Sequence, residues 1–445
     1  MPDNAPLSNS DDNQTSSSLG SLKTPIRNAS KLSIGRIIQA VCSLAYLAFA
    51  TRTLGPENFG KLILIHSLCL AVAQIARFDS WQSIVRFGTP FLHENQPTSL
   101  HRILSFGLAL DFLGIVLGIA AYAIVVYPLG QWFGLSWELR HFAMLYGIWM
   151  IAFINSSGAA TGTLQLLGRF GSLAIATTIE PIIRFVGAAL LFYFGGELRD
   201  FLVLWLIALT VAHIATNFAA WYRLAKQGSQ WRFRFYPDTW TRPQGALWRY
   251  ALGTHWVGAM NVAQEHLPTL ASGGVIGPAA AGLLKVARQF ADVLAAVINK
   301  LLVPALFPEL ARLQKNARQA LAKRLSFITL GIFFVFFMLL AFFGKDLIRL
   351  VAGKEFLPAY PVMLWLAFAG VIGSVSFSFE TLLTAIGEIR RVVLVNSFSL
   401  FIYFLALAVL LPTYGLVGVG MAAVAYAAIR SSLLWWNARR HYLNS

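Results

Sequence analysis

The sequence predicts an all-α integral membrane protein: twelve transmembrane helices in two six-helix bundles, related by a pseudo-two-fold axis along the membrane normal. Three observations predict it. Of 445 residues, 12% are charged and 57% hydrophobic, where a soluble domain carries about 25% charged residues. The apolar residues gather into twelve runs, each long enough to cross a hydrocarbon core of about 30 Å. Two short motifs also recur at nearly equal offsets, close to half the chain.

In order, residues 1–30 are rich in Ser, Asn, Asp and Pro and are expected as a disordered cytoplasmic tail. The N-terminal lobe, 31–225, holds spans at 35–51, 61–78, 103–127, 141–163, 172–195 and 201–222. A basic, aromatic linker, 226–248, suits the headgroup interface. The C-terminal lobe, 249–438, holds spans at 250–272, 279–302, 325–344, 359–385, 392–412 and 415–436, and 439–445 forms a short tail. Cys42 and Cys69 lie inside apolar runs and read as packing residues. Of the 35 Lys and Arg residues, 23 fall on one set of loops, 7 on the other and 5 within spans. This bias places both termini in the cytoplasm. It also explains the net charge of +16 without nucleic acid.

The repeat consists of G-P-x-x-x-G at Gly55–Gly60 and Gly277–Gly282, 222 residues apart, and Leu164–Arg169 against Leu383–Glu388, 219 apart. Each pair falls at the same place in its six-span half. Two like-oriented halves leave a cavity between them and permit alternating access by rocking.

The eighth span, Pro278–Leu302, is the awkward one. On a helix, Lys285, Arg288, Gln289, Asp292, Asn299 and Lys300 share a stripe roughly 120° wide. A charge facing lipid at mid-bilayer costs about 2.5–3.5 kcal/mol, so the stripe is expected to face protein or water. Other ionisable residues inside spans are Asp111, Glu180, Arg184, Glu265, His266, Glu380 and Arg430. Glu180 with Arg184, and Arg288 with Asp292, are four apart and read as structural pairs. Lys285 has no partner nearby in sequence and is the best candidate to meet a diphosphate, with Arg288 and Arg184 beside it. Asp111, Glu265 and Glu380 are the ion-coupling candidates, since a carboxylate in an apolar site can exchange a proton or hold a cation. His213 and His255 read as packed polar groups, and Arg430 as a side chain reaching for headgroups. There is no Walker A motif, no metal signature and no loop long enough for an extramembrane catalytic domain. The chain reads as a transporter, not an enzyme, with no cofactor.

Several stretches resemble the polysaccharide and O-antigen flippases of the multidrug/oligosaccharidyl-lipid/polysaccharide exporter superfamily. They are ATRTLGPENFGKL at Ala50–Leu62, GTLQLLGRF at Gly162–Phe170, EPIIR at Glu180–Arg184, GPAAAGLLKVARQFADVL from Gly277, and PELARL at Pro308–Leu313. The resemblance runs over 30–440. It implies a two-lobed, twelve-helix bundle with a cationic central cavity in a bacterial inner membrane. The implied cargo is an undecaprenyl-diphosphate-linked glycan for O-antigen or exopolysaccharide synthesis, driven by a proton or sodium gradient. A polysaccharide polymerase and a chain-length regulator are the implied partners. The related peptidoglycan-precursor flippases carry two extra helices, which this chain lacks. The alternatives are a cation-coupled multidrug exporter of the same superfamily and a membrane polysaccharide polymerase or ligase.

Overall fold

The computed structural model describes residues 12–236, 245–295, 315–385 and 387–443, and its described residues are helices, turns and loops. The first lobe contains α1 (Asp12–Ala76), α2 (Ser80–His93), α3 (Pro97–Trp132), α4 (Trp137–Asn155), α5 (Gly158–Leu166), α6 (Phe170–Phe194) and α7 (Leu198–Ala225). The second contains α8 (Gly245–Val275), α9 (Pro278–Ala291), α10 (Lys315–Val351), α11 (Ala359–Ala385), α12 (Ile389–Tyr414) and α13 (Leu416–Leu443). Short 3₁₀ turns lie at Ser229–Trp231 and Lys354–Phe356.

Local chemistry sets the breaks between helices. α1 is two limbs meeting at Gly55, whose φ of 65° favours glycine. Pro56 then opens the second limb, where a missing N–H costs nothing. Ser136 caps α4 by accepting from the Leu139 N–H at 3.3 Å. Glu197 and Asp200 cap α7 reciprocally.

Among the described residues, nine helical stretches are long and apolar enough to cross a membrane. The first, Gln39–His93, contains the Gly55 kink and so covers two of the expected spans. The seventh expected span is α8, a 31-residue helix whose Asn261, Gln264, Glu265 and His266 lower its hydropathy. The eighth begins as α9.

Five expectations change. Helix α1 reaches back to Asp12, into the expected disordered tail, because extending a helix already nucleated adds a hydrogen bond per residue without a new nucleus; residues 1–11 lie outside the described set. The region after the second span, expected as a loop, forms α2, which buries Ser80, Ser83, Ile84 and Gly88 on one side. The fourth span is broken between α4 and α5. The awkward eighth helix is interrupted at Asp292, the C-cap of α9, and is helical again at 293–295; Asn299 and Lys300 lie outside the described residues. The tail at 439–443 continues α13.

The repeat is visible at the level of whole helices. α3 and α10 start at 97 and 315, α6 and α12 at 170 and 389, and α7 and α13 at 198 and 416, always 218 or 219 apart. The two Gly-Pro motifs meet each other. A Cβ on Gly60 would lie 1.8 Å from the Pro278 carbonyl oxygen, and one on Gly282 would lie 2.9 Å from that of Pro56. The contact is reciprocal: glycine of one motif on proline of the other, both ways. That is the signature of a two-fold relation, here between halves of one chain. Nearby, Arg52 donates to the Leu350 carbonyl at 2.5 Å and Phe59 packs edge-on to Phe356 at 5.8 Å. The lobes are therefore fastened together at the Gly55 end of the bundle.

Candidate substrate site at the seam and in the second lobe

The seam between lobes is built from the second limb of α1 packed on α8 and α9. Small residues permit it. Gly282 sits against the Gly60 backbone, and a Cβ on Gly273 would strike Leu64. Lys285 and Arg288 are one turn apart on α9. Lys285 is half-buried. The charges near enough to act on it are Glu265, Arg288, Arg184 and Asp292. The structure thus gathers Lys285, Arg288, Glu265 and Asp292 from the second lobe with Arg184 from the first. Among the described residues Lys285 makes no ion pair within 4 Å.

Below the seam a cavity of about 650 Å³ lies wholly within the second lobe, walled by α8 to α13. Arg288, Glu265, Asp292, Glu380 and Arg430 line it; Lys285 and Arg184 do not. Arg288 and Asp292 do not form the expected helical pair. The Asp292 N–H still bonds to the Arg288 carbonyl at 2.9 Å, but the Arg288 guanidinium donates to the backbone carbonyl of Glu265 at 2.5 Å instead of to the Asp292 carboxylate.

Glu380 is held from two neighbouring helices. Arg430 of α13 donates to it, to Asn396 at 2.9 Å and to Ser376 at 2.9 Å, and Asn396 donates to Glu380 at 3.2 Å. Arg430 therefore points inward rather than to headgroups, because three of the five donors of its guanidinium find acceptors there. Asp111 is likewise engaged. It accepts from Ser80 Oγ at 2.5 Å and from the Ala159 N–H at 2.7 Å. A carboxylate at the first turn of α5 satisfies an orphan donor and suits the helix dipole, which is why the fourth span breaks there. A Cβ on Gly158 would lie 2.5 Å from Asp111 Oδ1, so this junction requires glycine. Among the described residues the Glu265 side chain has no hydrogen-bonded partner, and it is exposed into the cavity.

In the first lobe Glu180 and Arg184 meet at 2.6 Å, and Arg184 lies 4.5 Å over the Trp205 ring. Behind them, buried His66 bonds to the Tyr146 hydroxyl at 2.8 Å and packs edge-on to Trp205 at 4.3 Å. His66 and Tyr146 had not been singled out from sequence. A histidine inside the apolar run KLILIHSLCL was the available signal. His255 stacks on Phe78 at 5.0 Å and bonds to the Arg77 carbonyl at 3.1 Å, a packed polar group. The four interior cations Arg184, Lys285, Arg288 and Arg430 are matched by five carboxylates, Asp111, Glu180, Glu265, Asp292 and Glu380. Among the described residues, then, the interior has no net cationic excess, contrary to what the resemblance implied; the positive character is local to Lys285 and its neighbours.

This architecture has close counterparts. An inward-facing multidrug resistance MATE family transporter of the MOP superfamily matches with a TM-score of 0.73 at 13% identity, over 93% of this chain and 98% of that one. The lipid II flippase MurJ in an inward closed conformation matches with a TM-score of 0.68 at 14% identity, over 93% and 89%. The fold is therefore the twelve-helix, two-lobed fold of MOP-superfamily membrane transporters. In sequence, inner membrane protein YghQ of Escherichia coli (strain K12) is 27% identical over 346 residues, 77% of this chain and 97% of that one. Residues 26–314 match the family described as polysaccharide biosynthesis protein, and the chain belongs to that family.

Proposed function

We propose that the protein is a flippase that carries undecaprenyl-diphosphate-linked oligosaccharide from the inner to the outer leaflet of a bacterial inner membrane, with both termini cytoplasmic. The observation that carries this reading is Lys285. It is a cation without an ion pair among the described residues, half-buried at the seam of a chain in the polysaccharide biosynthesis family. A diphosphate crossing an apolar core bare would lose its hydration at a cost of many kcal/mol. Lys285, with Arg288 and Arg184 in electrostatic reach, replaces part of that water. The prenyl chain stays in lipid while the lobes rock.

Asp111, Glu265 and Glu380 remain the coupling candidates for a proton or sodium gradient. Glu265 is favoured, since Asp111 and Glu380 already hold other groups. A polymerase and a chain-length regulator are the expected partners in synthesis of O-antigen or exopolysaccharide.

The test is reconstitution in vesicles with a fluorescent undecaprenyl diphosphate. Lys285→Ala is expected to lower the flipping rate at least about tenfold, the equivalent of 1.4 kcal/mol; an unchanged rate rejects the diphosphate role. Collapsing the proton gradient, then the sodium gradient, identifies the coupling ion, and indifference to both removes coupling.

A second reading is a cation-coupled multidrug exporter. The acidic balance of the second-lobe cavity among the described residues, three carboxylates against two guanidiniums, favours it. Efflux of ethidium from the same vesicles, abolished by Glu265→Gln, would support that reading over the first.

A further inference from the structure

The second-lobe cavity and the seam differ in chemistry, and the difference divides the cargo between them. We propose that the second-lobe cavity is a carbohydrate subsite, holding the uncharged sugar rings nearest the diphosphate while the diphosphate itself stays at Lys285. This rests on the flippase reading above and adds to it where the glycan goes.

The cavity, about 650 Å³, falls within the roughly 300–1,000 Å³ of small-molecule sites. Among the described residues its ionic balance is wrong for a diphosphate: Glu265, Asp292 and Glu380 outnumber Arg288 and Arg430, and like charges repel strongly in a medium of low dielectric. Arg430 is also largely committed, because Glu380, Asn396 and Ser376 take three of its five donors. Apart from the Glu265 carboxylate, unpartnered among the described residues, what the wall offers is polarity held in place by hydrogen bonds. Asn261 faces the cavity with no hydrogen bond from its side chain among the described residues, and Gln264 is tied to the Tyr426 hydroxyl. Between these polar groups lie aromatic rings. Tyr403 and Tyr426 sit 5.7 Å apart at 62°, and Phe377 also lines the cavity. A pyranose has the complementary surface: an apolar C–H face that packs on a ring, and a rim of hydroxyls that both donate and accept.

Position agrees with chemistry. Arg288 lines the cavity, and Lys285 is three residues before it on the same face of α9, about 4.5 Å along the axis. A diphosphate at Lys285 therefore delivers its first sugar to the cavity edge. The corresponding positions of the first lobe are filled by packing. The position 222 before Arg288 is His66 and the position 219 before Tyr403 is Arg184, and both are packed against Trp205.

The experiment compares two lipids on the full-length protein in nanodiscs: undecaprenyl diphosphate, and the same lipid bearing one N-acetylglucosamine. The wild type is expected to bind the sugar-bearing lipid about tenfold more tightly, the equivalent of 1.4 kcal/mol. Gly373→Leu, which places a side chain in the cavity, and Asn261→Leu, which removes its free amide, should each erase that gain. Binding of the bare diphosphate by these variants should stay unchanged, which also reports that they fold. Lys285→Ala should weaken both lipids. Equal affinity of the wild type for the two lipids, or a sugar-dependent gain that survives both cavity variants, overturns the subsite and leaves the flippase reading standing. Failure of the wild type to bind either lipid overturns both.

Discussion

The two lobes descend from one repeated pattern, yet they treat corresponding positions differently. In the first lobe the polar residues of the interior are closed upon one another. Arg184 is held by Glu180 and by the face of Trp205, and His66 by Tyr146. In the second lobe the equivalent places carry Arg288 and Tyr403, and a cavity of about 650 Å³ opens beside them. A duplicated fold fixes helix directions and crossings through backbone packing. Which lobe opens a chamber depends on a few side chains that packing leaves free to vary. The lesson is that pseudo-symmetry governs the hinge and not the site.

The sharpest test of the shared part is the Gly-Pro crossing. Gly60→Val should abolish transport while the protein still inserts, because its Cβ cannot fit 1.8 Å from the Pro278 carbonyl oxygen. Gly282→Ala should be milder, since the clash there is 2.9 Å. A transport assay on membranes with matched protein levels checks both. Equal tolerance of the two would mean that the seam yields easily and the reciprocal contact is incidental.

A smaller effect is expected at Asp111, a first-lobe feature with no carboxylate at the matching place. Asp111→Ala removes the acceptor for Ser80 and for the Ala159 N–H. It should cost about 2–3 kcal/mol, read as a drop in the unfolding midpoint in detergent. Asp111→Asn keeps one acceptor and should cost roughly half as much. If both variants transport normally once stability is restored, Asp111 is a structural cap and not a coupling residue.

Next come the two ion pairs, one in each lobe. Glu380→Ala leaves Arg430 without its carboxylate in a half-buried site, a loss of about 1–3 kcal/mol, below the 3–5 of a fully buried pair. Adding Arg430→Met should recover part of it, because the uncompensated charge goes too. Glu180→Ala should cost less, about 1 kcal/mol or under, since Arg184 keeps its contact with Trp205. Thermal unfolding of the three variants ranks them. The reverse order would say that the first lobe, not the second, depends on its ion pair.

Much of this molecule can be read without coordinates. The membrane class, most spans and the duplication follow from the length of the apolar runs and the spacing of two short motifs, because lipid leaves a spanning chain little choice but a helix. The i,i+4 pair of Glu180 and Arg184 follows from helical geometry as well. The break at Ser156–Ser157 does not, because it depends on a carboxylate reaching α5 from residue 111. Nor does the fate of Arg430, whose partners lie 34, 50 and 54 residues away, or the turn of Arg288 away from Asp292 to a carbonyl 23 residues back on α8. A sequence shows each charge with only its neighbours one turn up and down. Which charges cancel, which stay free at the seam, and which lobe keeps a cavity are decided when helices far apart in the chain are packed side by side.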